Sequence, residues 1–202
     1  MKLIFKLIFF IAGLFILTFG IVLTIRADLG IGAYDALNVA LSERFGFTIG
    51  TWVIITGFII IFINAILMKR RPMFLSAITM FVIGLFVDFW SELVFKDWAP
   101  TSLIIAITIF IVGLALIAAG IGLYLQPQFP PGPIDQLMVA LRFRFNFSIV
   151  VAKTIAEVSS LILALLLGGP IGIGTLVITF AIGWFVQVIY PYMEKLYLLS
   201  QS

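Results

Sequence analysis

The chain has 202 residues, 63% of them hydrophobic and 10% charged, with a mean hydropathy of +1.29 and a net charge of +3. A soluble domain needs a polar exterior that this composition cannot supply, so it predicts an all-α, polytopic integral membrane protein whose main partner is the lipid bilayer. There is no cysteine and no histidine, which excludes disulfides, iron–sulfur clusters and thiol chemistry and removes the commonest metal ligand and general base; no enzyme activity, metal or other cofactor is expected.

The first apolar segment, Phe5 to Ile25, follows Lys2 and Lys6 and holds an uncharged stretch with no small-x-small cleavage site after it, so it reads as a retained span rather than a secretory signal. The segment Leu29-Gly-Ile-Gly-Ala-Tyr-Asp-Ala-Leu-Asn then breaks the pattern with Gly30 and Gly32 and opens a short helix over 34–45. Ile49 to Met68 is the second span, with Asn64 available for an interhelical hydrogen bond. Lys69, Arg70 and Arg71 separate it from the third, Met73 to Trp90, near whose end Asp88 and Glu92 suit an interfacial position.

Leu103 to Leu125 is the fourth span, and Phe129-Pro-Pro-Gly-Pro-Ile-Asp-Gln-Leu-Met opens a second short helix over 134–145. Pro133 suits its first position, where a missing N–H costs nothing, and Gly132 precedes it. Ser148 to Leu167 is the fifth span and carries Lys153 and Glu157 on one helix face. Ile171 to Tyr190 is the sixth, with Gly172, Gly174 and Gly183 suited to close packing and Thr175 able to bond the backbone.

Shifting the chain by 100 residues superposes its halves without a gap. Between Gly20–Ile49 and Gly120–Ile149, 13 of 30 positions are identical, among them Gly32 with Gly132, Asp35 with Asp135, and Arg44 with Arg144. The chain therefore reads as one membrane domain of two repeats, 1–98 and 99–202. With the N-terminus in the cytoplasm, Lys2, Lys6, Lys69, Arg70, Arg71, Arg142, Arg144 and Lys195 fall inside and Arg26, Arg44 and Lys96 outside, which puts both termini in the cytoplasm. Three crossings per half make the repeats inverted. A helix over 34–45 is about 18 Å long and cannot cross a core of roughly 30 Å, so it does not add a fourth.

In the first short helix Asp35, Asn38, Ser42 and Gly46 recur at spacings of three and four, Asp135, Arg142 and Asn146 fall on the matching stripe of the second, and both helices are amphipathic. Two placements satisfy this, flat in the headgroup interface or re-entrant within protein. Asp35 and Asp135 stand in first helical turns, where a carboxylate caps backbone N–H groups, or where two helix starts meet and bind a cation or substrate. Lys153 and Glu157 read either as a structural ion pair or as a substrate or ion site, and their repeat counterparts Val53 and Gly57 are neutral. An aspartyl dyad for intramembrane proteolysis is disfavoured, because neither aspartate follows a Gly-x-Gly directly.

The duplicated Leu-Gly-x-Gly-x-x-Asp-Ala-Leu segment, the continuation Phe45-Gly-Phe-Thr-Ile-Gly-Thr51 and the run Pro170-Ile-Gly-Ile-Gly-Thr175 resemble the YczE/YyaS/YitT family of bacterial membrane proteins, most nearly its YczE branch. The second half departs from that pattern with Phe129-Pro130-Pro131. The resemblance implies a bacterial inner-membrane location and contributes no binding or catalytic residues. The functional expectation is a small secondary-transporter-like protein for a small solute, with a membrane scaffold supporting a cytoplasmic system as the alternative. A homo-oligomer is a compatible assembly, because six short spans enclose little volume, and a nucleic-acid partner is not expected.

Overall fold

The computed structural model describes residues 2–199. Met1 and residues 200–202, at the outer ends of the two predicted repeats, and the Lys2 side chain, counted among the inner charges, lie outside the described residues. The chain is helical throughout its elements: α1 Lys2–Ala27, α2 Ala33–Phe45, α3 Ile49–Met68, α4 Leu75–Asp88, a π-helical turn Phe89–Val94 continuing it, α5 Leu103–Tyr124, α6 Pro133–Phe145, α7 Ile149–Leu167 and α8 Ile173–Leu199. Among the described residues five helices are long and apolar enough to cross a membrane, Leu3–Ala27, Ile49–Met68, Leu75–Val94, Leu103–Tyr124 and Ile173–Leu199. The remaining predicted span folds as α7, a helix of 19 residues. Bulky apolar side chains such as Ile66, Leu93, Ile104, Leu166 and Phe180 are exposed on these helices, which suits lipid and not water.

Hydroxyl caps set three of the helix starts. Thr48, Ser102 and Ser148 accept from the backbone N–H groups of Thr51, Ile105 and Val151. Left-handed residues stand at matching points of the two halves: Asp28 and Gln128 after α1 and α5, Gly46 and Asn146 after α2 and α6. The helices themselves keep the shift of 100 residues, with α2 and α6 at Ala33–Phe45 and Pro133–Phe145.

The chain divides into two compact units. The first comprises Met1–Gly32, Phe86–Phe129 and Pro170–Ser202. Its centre is the pair α1 and α5, brought into backbone contact by glycines: a Cβ on Gly13 would meet Tyr124, one on Gly20 would meet Ile117, one on Gly120 would meet Leu17, and one on Gly113 would meet Thr24. Partner numbers fall along α5 as they rise along α1, so the two helices run antiparallel. α8 packs on α5 through Ile178 against Phe110 and Leu114. It continues past Pro191 to Leu199, beyond the predicted end at Tyr190, because Tyr197 packs edge-on to Phe9 at 5.1 Å and Met193 covers Gly122. These contacts offset the one backbone hydrogen bond that proline removes.

The π-helical turn also belongs to this unit and is not visible in the sequence. Its Ser91 carbonyl accepts from Arg26 Nη2 at 2.8 Å, and Trp90 Nε1 donates to the Phe15 carbonyl at 3.3 Å. An inserted residue in a helix frees a carbonyl from the regular ladder, and here the α1 arginine takes it.

The second unit comprises Ala33–Leu85 and Pro130–Gly169. Its four helices close a ring: α2 packs on α3, α3 on α6, α6 on α7 and α7 on α2. Each short helix thus lies against the long helix of its own half and the long helix of the other. α4 joins through Met80 over Gly57 and Gly84 over Gly50 and Ile54.

Candidate functional site

The approach to α2 is pinned by backbone alone. Gly30 takes a φ of +98°, and a Cβ there would stand 2.5 Å from the Gly172 nitrogen. Gly174 N–H donates to the Leu29 carbonyl at 2.7 Å, and the Gly172 N–H donates to Thr175 Oγ1 at 3.2 Å. Glycine is required at Gly30 on both counts. Gly132 is different: its φ is −58°, and a Cβ there would touch only Asp135 Oδ2, at 3.7 Å. Gly32 likewise takes no positive φ. Gly30 therefore combines a positive φ with a steric need, and Gly132 has neither.

α2 buries its polar stripe rather than exposing it. Ala36, Leu37, Asn38, Val39 and Ala40 are all buried, Tyr34 and Asp35 are half-buried, and exposure begins at the last turn with Glu43, Arg44 and Phe45. Burial therefore changes along the axis and not around it. The polar stripe turns inward because α3 satisfies it: Tyr34 Oη lies 2.8 Å from Thr56 Oγ1, Thr56 Oγ1 donates to Asn38 Oδ1 at 2.8 Å, and Asn38 Nδ2 donates to the Tyr34 carbonyl at 2.9 Å. Asn38 lay on the predicted stripe, whereas Tyr34 and Thr56 carried no signal as partners because they are common in membrane helices.

The α6 start is held by side chains from two other helices of its unit. Thr79 Oγ1 donates to the Pro130 carbonyl at 2.8 Å, and Gln136 Nε2 donates to the Pro131 carbonyl at 3.2 Å and to Ser76 Oγ. Asn64 Nδ2 on α3 donates to the Pro133 carbonyl at 2.9 Å, the interhelical bond its position in the sequence predicts. Pro133 is buried at the first position of the helix, with Gly132 as N-cap. Asn64 is only 4% exposed, and its Oδ1 is buried without a hydrogen-bond partner. Gln136 and Ser76 escaped sequence reading, since a glutamine beside an aspartate at a helix start suggests only solvation.

The four charged residues predicted as a site belong to one unit. Asp35 stands in the first turn of α2, Asp135 in the first turn of α6, and Lys153 and Glu157 lie one turn apart on α7, which packs on both short helices. Asp35 and Glu157 interact electrostatically across α2 and α7. Glu157 also interacts with Lys153 and with Asp135. Tyr34 senses both aspartates. Asp35, Lys153 and Glu157 are half-buried and Asp135 is exposed. Lys153 on the same helix attracts the Glu157 carboxylate, and the two helix-start aspartates repel it. Among the described residues no group of three or more acidic side chains is arranged to hold a metal ion.

The family of unknown function DUF6198 matches residues 4–191. The chain belongs to this family. Over 193 residues, 96% of each chain, it is 36% identical to the uncharacterised protein YyaS of Bacillus subtilis (strain 168). It is 32% identical over 191 residues to the uncharacterised membrane protein YczE of the same organism, covering 94% of this chain and 87% of that one. An uncharacterised protein of Haemophilus influenzae is 30% identical over 189 residues, 91% of this chain and 83% of its own. The family resemblance read from the sequence holds, but the identity is higher with YyaS than with YczE, the branch that reading placed nearest. No solved structure matches. This DUF6198 chain thus has several helices apolar enough to cross a membrane, and its relative YczE is described as a membrane protein.

Proposed function

We propose that this DUF6198 protein is a small secondary-transporter-like protein of the bacterial cell membrane, built from two inverted repeats, with both termini cytoplasmic. The observation that carries the reading is the meeting of Asp35, Asp135, Lys153 and Glu157, drawn from separate stretches of sequence, around the starts of two short helices. Ionisable groups in a membrane domain are costly and mark pathways for ions or solutes, and helix starts facing them are the usual binding elements of inverted-repeat transporters.

Three features support the inversion. The repeat counterparts α1 and α5 run antiparallel and pair counterpart residues reciprocally, Gly20 with Ile117 and Gly120 with Leu17. Positive φ recurs at Asp28 and Gln128. α2 lies on α7 while α6 lies on α3, the exchange a two-fold relation produces. The burial gradient along α2 supports a re-entrant helix, which emerges from protein only at its last turn.

The test is solute counterflow in proteoliposomes across a panel of small amines, amino acids and organic acids. The reading expects at least one solute to exchange faster than in protein-free vesicles and the exchange to fall at least tenfold in Asp35→Asn and Glu157→Gln proteins. Exchange equal to that of empty vesicles for every solute contradicts transport, and unchanged exchange in both variants removes these residues from the pathway.

A further inference from the structure

The two ends of the second unit differ in charge. α3 has 20 residues, about 30 Å of helix, and ends on Lys69, so the run Lys69-Arg70-Arg71 stands at headgroup depth. The last turn of α6, which packs on α3, brings Arg142 and Arg144 to the same end, because Arg70 Cζ lies over the face of the Phe143 ring, 5.5 Å from its centre. Cations from two distant stretches of sequence thus converge, and all five are exposed. No aspartate or glutamate occurs between Arg44 and Val87 or between Gln136 and Ala156. Asp135 stands ten residues before Phe145 on α6 and Glu157 eight after Ile149 on α7, about 15 and 12 Å along their helices. The start of α3 shows the contrast. Trp52 Nε1 donates to the Gly46 carbonyl at 2.7 Å, which fixes the end of α2 there, and the charges that α2 brings, Glu43 and Arg44, cancel.

We propose that this basic end of the second unit binds the phosphodiester of an anionic phospholipid, with Arg70, Arg142 and Arg144 donating to its oxygens. Guanidinium groups present paired N–H donors that match phosphate oxygens. A cation over a ring face spends no N–H on the contact, so Phe143 places the Arg70 guanidinium without using up its donors. Phe143 and Phe145 lie beside Arg142 and Arg144 in the chain, Met73 and Phe74 follow Arg71 closely, and all four are exposed, so apolar surface is ready for the acyl chains where charge meets the headgroup. The ordinary excess of cations on one side of a membrane accounts for the charge of each loop but not for the joining of two of them through Arg70 and Phe143. A zwitterionic headgroup would bring an ammonium to a patch whose own segments supply no carboxylate, and fits less well. Binding of this kind requires only that α3 spans the bilayer, and is independent of solute transport.

The test incubates the purified full chain, in a neutral detergent, with equimolar phosphatidylglycerol and phosphatidylcholine of the same acyl chains, and quantifies the lipid extracted from the protein peak after gel filtration. Phosphatidylglycerol is expected to be retained over phosphatidylcholine about fivefold or more. In the double variant Arg70→Gln and Arg142→Gln the ratio should fall below about twofold. The double variant Arg44→Gln and Lys96→Gln removes the same charge from exposed positions elsewhere and should keep the wild-type ratio. Equal retention of the two lipids by the wild-type protein overturns the proposal and leaves the five cations with a topological role alone. A ratio unchanged in the Arg70 and Arg142 variant places the lipid elsewhere, and an equal loss in the control variant makes net charge the cause; each also overturns it. Displacement of phosphatidylglycerol by inorganic phosphate, but not by chloride at the same ionic strength, moves the recognised group to a free anion and overturns a lipid site. The wild-type comparisons are read whether or not the variants fold.

Discussion

Gly20 of α1 faces Gly113 of α5 so closely that a Cβ on Gly20 would stand 2.6 Å from the Gly113 carbonyl oxygen. Gly120 repeats the situation from the other helix, with the Leu17 nitrogen at 2.5 Å from its own added Cβ. Backbone cannot yield here as a side-chain tip can, so either glycine replaced by alanine forces the helices apart.

Gly20→Ala and Gly120→Ala are therefore expected to destabilise the protein by about 1–3 kcal/mol each. Gly183→Ala on α8 is the control, since an added Cβ there meets nothing within 4 Å and alanine favours helix, so its change should lie between neutral and about 1 kcal/mol of stabilisation. Thermal unfolding in one detergent checks all three. Equal effects at Gly20 and Gly183 would remove the close crossing from the account.

The helix-start glycines give a second contrast. Gly30→Ala meets both a positive φ and the Gly172 backbone and should cost about 2 kcal/mol or more, whereas Gly132→Ala should cost less than about 0.5 kcal/mol. Expression level and Tm of the two proteins make the comparison. A Gly132 variant as damaged as the Gly30 one would mean that Gly132 has a role its surroundings do not reveal.

The Tyr34–Asn38–Thr56 triangle is expected to behave as one unit. Thr56→Val leaves the Asn38 carbonyl oxygen without its donor and should cost about 1–3 kcal/mol, and adding Asn38→Leu should cost less than the sum of the two single changes. A double-mutant cycle on chemical denaturation reads the coupling. Strict additivity would show that α2 is not held to α3 by this network.

Most of the helical layout was legible in the sequence because its signals are long: uncharged apolar runs, and a repeat that carries the positions of α2 and α6 from Ala33–Phe45 to Pro133–Phe145. What was hidden depends on partners far along the chain. The π-helical turn at Phe89–Val94 has ordinary composition and is marked by the Arg26 bond to the Ser91 carbonyl. The inward turn of the α2 polar stripe follows from Thr56 on α3, which no spacing within 33–45 can announce. Asp35 with Asp135 and Lys153 with Glu157 were visible as two separate pairs, one from the repeat and one from helical spacing. Their common neighbourhood is a product of α7 packing on both short helices, a tertiary fact.

The central claim is that the repeats are inverted about the acidic helix starts. Phe45 and Phe145 end the two short helices at equivalent positions and are 58% and 52% exposed, so each can carry a single cysteine in this cysteine-free chain. Impermeant maleimide applied to whole cells and to inside-out vesicles is the measurement. The account predicts that Phe45→Cys is labelled from outside the cell and Phe145→Cys from the cytoplasmic side. Labelling of both from the same side would contradict it.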